Sequence, residues 1–225
     1  MVETKPDLTP VTEADRAVET MVRAELARTR PDDAVLGEEQ GETRVGAARR
    51  WIVDPIDGTK GYARGLPVWA TLLALEVDGE LALGVVSAPA LGTRWWARRG
   101  GGTWRNGELV RVSQVARVED AQLAYSSVTA FEDEGIGDGF LTLARRCWRT
   151  RGLGDFWSHV LVADGSVDIS AEVGGLNLWD VAPLLPIVEE AGGRITDITG
   201  AVRADGGNVI ATIGLLHDEV LRSLR

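Results

Sequence analysis

Cysteine is almost missing from this chain of 225 residues, and the single one, Cys147, has no partner with which to close an internal disulfide. Histidine occurs twice, so the Cys and His donor sets of a zinc site have little to be built from. No apolar run is long enough to span a bilayer, and the opening "MVETKPDLTPVTEAD" is polar, without the apolar segment of a signal peptide. These absences predict a chain of the reducing cytoplasm with no membrane partner. Positive charge is also short: 24 Lys and Arg face 34 Asp and Glu, a formal net charge of -10, which argues against a nucleic-acid or anionic-membrane surface. What is present is apolar material, 44% of residues, enough for a sizeable core. The surplus of acids, if gathered into one cleft, would recruit cations.

Periodicity predicts an amphipathic helix over 13–29, with Ala17, Met21, Val22 and Leu26 at helical spacing and Thr12 as its N-cap. "AVLGEE" and "RRWIVDP" both read as strands ending in acids. The apolar runs from "VWATLLALEVDG" to "GTWRNGELV", punctuated by Asp-Gly, Ala-Pro and a triple glycine, predict antiparallel hairpins. Helices are predicted over 137–150 and 157–165, then a strand over 167–172. "LWDVAPLLPIVEEAGG" predicts one helix closed by glycines, and "NVIAT" a strand before a final short helix. There is no internal repeat, low-complexity tract or linker, so residues 1–225 are expected to form one unit.

The stretch "WIVDPIDGTKGY" at 51–62 concentrates the chemistry. Pro55 takes the chain out of regular strand geometry and Gly58 permits a tight turn, so Asp54 and Asp57 can face one point. Hard divalent cations such as magnesium take several oxygen ligands of this kind. An Asx-type turn capped by Asp57 explains the same residues equally well. Glu38 and Glu39 end another strand, where solvated surface is the bland alternative. Asp180 opens an apolar helix, where a first-turn acid is favoured by the helix dipole alone. Three acids at the ends of separate elements fit magnesium better than zinc, provided that they converge in space.

"WIVDPIDGT" together with "LWDVAPLLPIVEEAGGRITD" resembles the paired signature of the inositol monophosphatase family, magnesium-dependent and lithium-sensitive phosphatases. The resemblance runs from Lys5 onward, with "TPVTEADRAVE" matching the family's first conserved helix and "LGEE" its metal glutamate. It implies a layered αβαβα sandwich with the active site between the halves, a homodimer, and two or three magnesium ions. Glu38, Asp54 and the carbonyl of Ile56 would hold one ion; Asp54, Asp57 and Asp180 would hold another. Thr59 and Asp15, with Glu38 nearby, match the residues that orient and deprotonate the attacking water. Asp57, Gly58, Thr59 and Lys60 would meet the phosphate.

Within the family, segments such as "RGLGDFWSHVLVADGSVDISAE" are most similar to the histidinol-phosphate phosphatases of high-GC Gram-positive bacteria. That likeness implies a substrate-contacting arginine at Arg151, and Asp155, Glu172 and Asp180 around the alcohol end. Inositol monophosphate and 3'-phosphoadenosine 5'-phosphate are the alternative substrates, and a metal-binding module without turnover is the alternative of another class. His159 and His217 fall in no metal motif. Trp157 is close enough to "GDF" to line the pocket. Three departures stand out: Gly61 and Ile213 occupy positions where relatives commonly carry Asn, and the chain starts after the position of the family's first helix.

Overall fold

The structure is a computed structural model that describes residues 2–4 and 10–225. Strands β1 (Val2–Thr4) and β2 (Pro10–Thr12) pair antiparallel and lead into α1 (Glu13–Thr29). An eight-stranded sheet follows, built from β3 (Ala34–Gly37), β4 (Gly41–Thr43), β5 (Arg49–Asp57), β6 (Ala70–Val77), β7 (Glu80–Ala88), β8 (Thr93–Arg98), β9 (Thr103–Arg105) and β10 (Glu108–Val110). The short α2 (Thr59–Tyr62) sits between β5 and β6. Its strand order is β10-β9-β8-β7-β6-β5-β3-β4, antiparallel except for the β3/β5 pair.

The second half carries β11 (Gln122–Tyr125), α3 (Val128–Asp133), α4 (Gly137–Arg146), β12 (Arg149–Gly152), α5 (Asp155–Ala163) and β13 (Ile169–Val173). It ends with α6 (Leu178–Val181), α7 (Leu184–Glu190), β14 (Arg194–Thr196), β15 (Asn208–Thr212) and α8 (His217–Leu224). Its five strands run in the order β12-β11-β13-β15-β14. Helices α5 and α7 pack on each other and lie between the sheets, α7 against β7 and β8 and α5 against β13, while α4 and α8 pack together beyond. With α1 on β5, this is the expected αβαβα layering. Contact at the centre is close: a Cβ on Gly84 of β7 would lie 2.0 Å from the carbonyl oxygen of Pro183, and Thr103 donates to the Ile187 carbonyl at 2.6 Å.

Four expectations need correction. The helix predicted over 137–150 stops at Arg146, because Cys147 turns extended and Arg149–Gly152 pairs parallel with β11 as an edge strand. The helix predicted from Leu178 to the glycines is two, α6 and α7. Pro183 and Pro186 have no N–H to give to the carbonyls of residues 179 and 182, so the helical ladder breaks there. The strand read over "RRWIVDP" runs on to Asp57 as β5, with the irregularity expected at Pro55 taken up as a bulge. Finally, only part of the apolar face expected of α1 turns inward: Val22 and Leu26 are half-buried, but Met21 is 65% exposed and Ala17 is exposed, whereas Asp15 and Glu19 are buried.

Candidate functional site

In a regular strand, side chains alternate between faces, so residues 54 and 57 would point to opposite sides. The β5/β6 register pairs Asp54 with Leu72 and Asp57 with Ala70, which places one extra residue in β5. A single-residue bulge reverses the parity and turns both carboxylates to one face. Thr71 fixes the bulge by donating its hydroxyl to the Pro55 carbonyl at 2.9 Å. Gly58 then adopts φ +84°, where a Cβ would also strike the Val68 carbonyl oxygen at 2.9 Å, and α2 begins at Thr59.

Asp180 arrives from the other half. Asn177 caps α6 through a reciprocal capping box in which the Asn177 N–H donates to Asp180 Oδ2 at 2.7 Å. One carboxylate oxygen from each of Asp54, Asp57 and Asp180 lies within 4.8 Å of the others. Glu38, at the end of β3, lines the same cleft, as do Ile56, Gly58, Thr59, Lys60, Asp155 and Glu172; its volume is about 190 Å³.

The electrostatics of this cluster are unfavourable for a chain alone. Burial, then the neighbouring charges of Asp57, Glu38 and Asp180, push Asp54 well above the usual carboxylate range. Asp57 is raised by burial and by Asp155 and Asp180, against the opposing pull of the Phe156 N–H, which donates to it at 2.6 Å. Asp180 is pushed up to about 6 by burial, although the Asn177 N–H opposes it. Asp54 Oδ1 is buried and has no hydrogen-bond partner among the described residues. Crowded all-oxygen donors with an orphaned carboxylate oxygen fit a hard divalent cation, whose charge would reverse these shifts.

Beside the acids, Thr59 Oγ1 lies 2.8 Å from the Ile56 carbonyl and 3.3 Å from Asp15 Oδ1. The Asp15 carboxylate is buried, and its other oxygen accepts the N–H and hydroxyl of Thr12, so the N-cap of α1 also aims Asp15 at Thr59. Beside the Gly58 turn, where a Cβ on Gly58 would lie 3.4 Å from Asp155 Oδ2, Asp155 takes φ +49° at the start of α5, a strained conformation for a residue with a Cβ. Its carboxyl is pushed up to about 6 by burial and the Glu172 charge, with Lys60 and His159 opposing.

Most residues singled out in the sequence therefore meet at one cleft. Arg151 does not: it is exposed on the edge strand β12 and donates to the Thr150 carbonyl at 2.8 Å. Trp157 is half-buried against the core and lines no part of the cleft. Gly61 and Ile213 also lie outside the lining, Gly61 with room for a Cβ and Ile213 in the core. His217 is buried between Thr196 and Thr212. Sequence reasoning missed the buried contact of His159, whose Nε2 lies 3.2 Å from Glu172 Oε2, and the cap at Asn177, which the spacing Asn-x-x-Asp before an apolar run could have revealed.

The model of the inositol monophosphatase family matches residues 2–225. The chain is 52% identical over 228 residues to a histidinol-phosphatase of Mycobacterium tuberculosis, covering 99% of this chain and 87% of that one. It is likewise 52% identical over 229 residues to a histidinol-phosphatase of Streptomyces coelicolor, with 98% and 85% covered. Among solved structures, Thermotoga maritima IMPase superposes with a TM-score of 0.90 at 36% identity, covering 100% of this chain and 87% of that one. The bulged acidic strand, the capped Asp180 and these matches agree: the chain belongs to the inositol monophosphatase family.

Proposed function

We propose that this chain is a magnesium-dependent phosphomonoesterase that hydrolyses L-histidinol phosphate to L-histidinol and phosphate. The observation that carries the reading is the convergence of Asp54, Asp57 and Asp180 within 4.8 Å of one another beside the Gly58–Thr59 turn. Bound at these carboxylates, divalent cations supply neutralising charge for the phosphoryl oxygens and acidity for an attacking water. Glu38, Asp54 and the Ile56 carbonyl would hold one ion, and Asp54, Asp57 and Asp180 another, with Asp54 shared.

In this reading the Thr59 hydroxyl orients the water and relays its proton to Asp15, with Glu38 close by. Backbone N–H groups at Gly58 and Thr59, with Lys60 at the rim, receive the phosphate oxygens. Beyond the phosphate, histidinol carries an amine and an imidazole. Asp155 and Glu172 both line the cleft, and burial, then the Glu172 charge, raises Asp155, so a cationic substrate group would relieve it. The two relatives at 52% identity that are named histidinol-phosphatase support this substrate over inositol phosphates. Lithium inhibition, a homodimer and a cytoplasmic location belong to the same reading, supported by family membership and the single cysteine.

Phosphate release from a panel of histidinol phosphate, inositol 1-phosphate and 3'-phosphoadenosine 5'-phosphate, with and without magnesium, tests it. Magnesium-dependent release, fastest from histidinol phosphate, is expected. Faster release from either alternative overturns the substrate, and metal-dependent stabilisation without any release overturns the enzyme.

A further inference from the structure

We propose that Glu19 is a positioning residue for Glu38, holding in place the turn that carries it; this rests on the metallophosphatase reading above. Glu19 is 0% exposed, yet it lines no part of the cleft. Its carboxylate accepts the N–H of Glu39 at 2.7 Å, the N–H of Gln40 at 3.1 Å and Arg23 Nε at 2.7 Å. A buried carboxylate is costly unless such donors satisfy it. Two of its three donors belong to the turn that follows Glu38, so the carboxylate and the turn fix one another. Arg23, four residues further along α1, donates to the carbonyls of Val35 and Gly41, which bracket the same turn. The Glu38 N–H itself donates to the Val53 carbonyl at 3.2 Å, one residue before Asp54. Glu38 is thereby tied to the strand of Asp54 on one side and to α1 on the other.

Gly37 gives an independent sign of the same design. Its φ is not in the left-handed region, so its backbone does not call for glycine. A Cβ there, however, would lie 2.2 Å from Oε1 and 2.4 Å from Cδ of Glu19. The glycine makes room for the carboxylate. One helical turn earlier, Asp15 stands behind Thr59, so α1 holds two parts of the cleft from one face, through Asp15, Glu19 and Arg23.

The test is Mn2+ binding to the purified full chain, measured by calorimetry without substrate. Glu19→Gln keeps the volume and is expected to raise the dissociation constant about ten-fold or more, the scale of residues that orient metal ligands. Gly37→Ala is expected to weaken binding similarly in the wild-type background and to add little in Glu19→Ala, where the obstruction has gone. Wild-type affinity in Glu19→Gln overturns the proposal, as do additive effects in the double variant. A Glu19→Gln protein that loses its circular-dichroism spectrum with and without Mn2+ also overturns it, because the residue is then a general stabiliser. Wild-type protein that binds no Mn2+, matching Asp54→Asn, overturns the metallophosphatase reading itself.

Discussion

Two helices rest on the eight-stranded sheet and are attached to it by different means. Helix α7 buries Leu184, Leu185, Ile187 and Val188 between the sheets, each contributing about 1.5–3 kcal/mol by leaving water. Helix α1 leaves Met21 65% exposed and turns Asp15 and Glu19 inward. Apolar packing is indifferent to pH and cations, whereas an inward acidic face serves geometry and is tied to the charge of the cleft it borders. The region that supports chemistry is thus held less by stability than by hydrogen bonds aimed at particular groups.

The comparison is broken most strongly at Asp54. Asp54→Asn keeps volume but removes a charge that the proposed cations would share, and kcat/KM is expected to fall by more than about a hundred-fold, beyond the usual effect of residues outside the ligand shell. The same change removes repulsion from Asp57, Glu38 and Asp180, so the metal-free variant is expected to melt higher than the wild type. Steady-state kinetics and thermal melts in chelator check the pair of outcomes. Substantial turnover, or a lower melting temperature, means that Asp54 is an ordinary structural acid.

The apolar side of the comparison is sharpened by two truncations. Ile187→Ala opens a cavity between the sheets and is expected to cost about 2–5 kcal/mol in urea unfolding, with Mn2+ affinity unchanged. Met21→Ala, an apolar residue on a helix of similar prominence, is expected to cost less than about 0.5 kcal/mol because it leaves water on neither side of the transition. Equal costs would mean that a surface covers Met21 in solution.

A smaller effect is expected from pH. Asp155 and Asp180 sit near 6 in the folded chain, and Asp54 and Asp57 are also raised, so the folded state binds more protons than the unfolded one between about 4 and 6. Their contribution to stability is full below the unfolded carboxylate range and is lost as pH rises through about 6. His217, lowered to about 4 chiefly by burial, acts in the opposite sense: its contribution is present above about 6.5 and is lost as pH falls toward 4. Divalent cations act on the acids and leave His217 alone. The stabilisation by magnesium is therefore expected to grow from pH 5 to pH 7 in thermal melts. A magnesium increment independent of pH would place the bound ion away from these carboxylates.

Much of the site was legible because its carboxylates sit at strand and helix ends with strong local signatures. "DPIDG" announces a break, Thr12 an N-cap with Asp15 three residues on, and the apolar run after Asp180 a helix start. What stayed hidden depends on partners distant in sequence. The parity of Asp54 and Asp57 is set by a bulge that Thr71 on the neighbouring strand stabilises. The burial of Glu19 beside the half-buried Val22 and Leu26 of α1 depends on the N–H groups of Glu39 and Gln40, twenty residues away and more. Cys147 turns extended because β11 offers an open edge to Arg149–Gly152.

The smallest effect is expected at Arg151. Resemblance assigns it to the substrate, and a guanidinium offers a rigid fork of donors suited to phosphate or carboxylate. In the folded chain it stands exposed on β12 and spends one donor on the Thr150 carbonyl, outside the residues that line the cleft. An exposed charge of this kind contributes little to binding or stability. Arg151→Ala is therefore expected to leave KM and kcat for histidinol phosphate within about two-fold of wild type, less than the ten-fold that 1.4 kcal/mol would produce. A raised KM with unchanged kcat would contradict this and would mean that the arginine reaches substrate, either within its own chain or from a second copy. Repeating the kinetics over a range of protein concentrations separates the two: a contact made across copies weakens on dilution, and a contact within one chain does not.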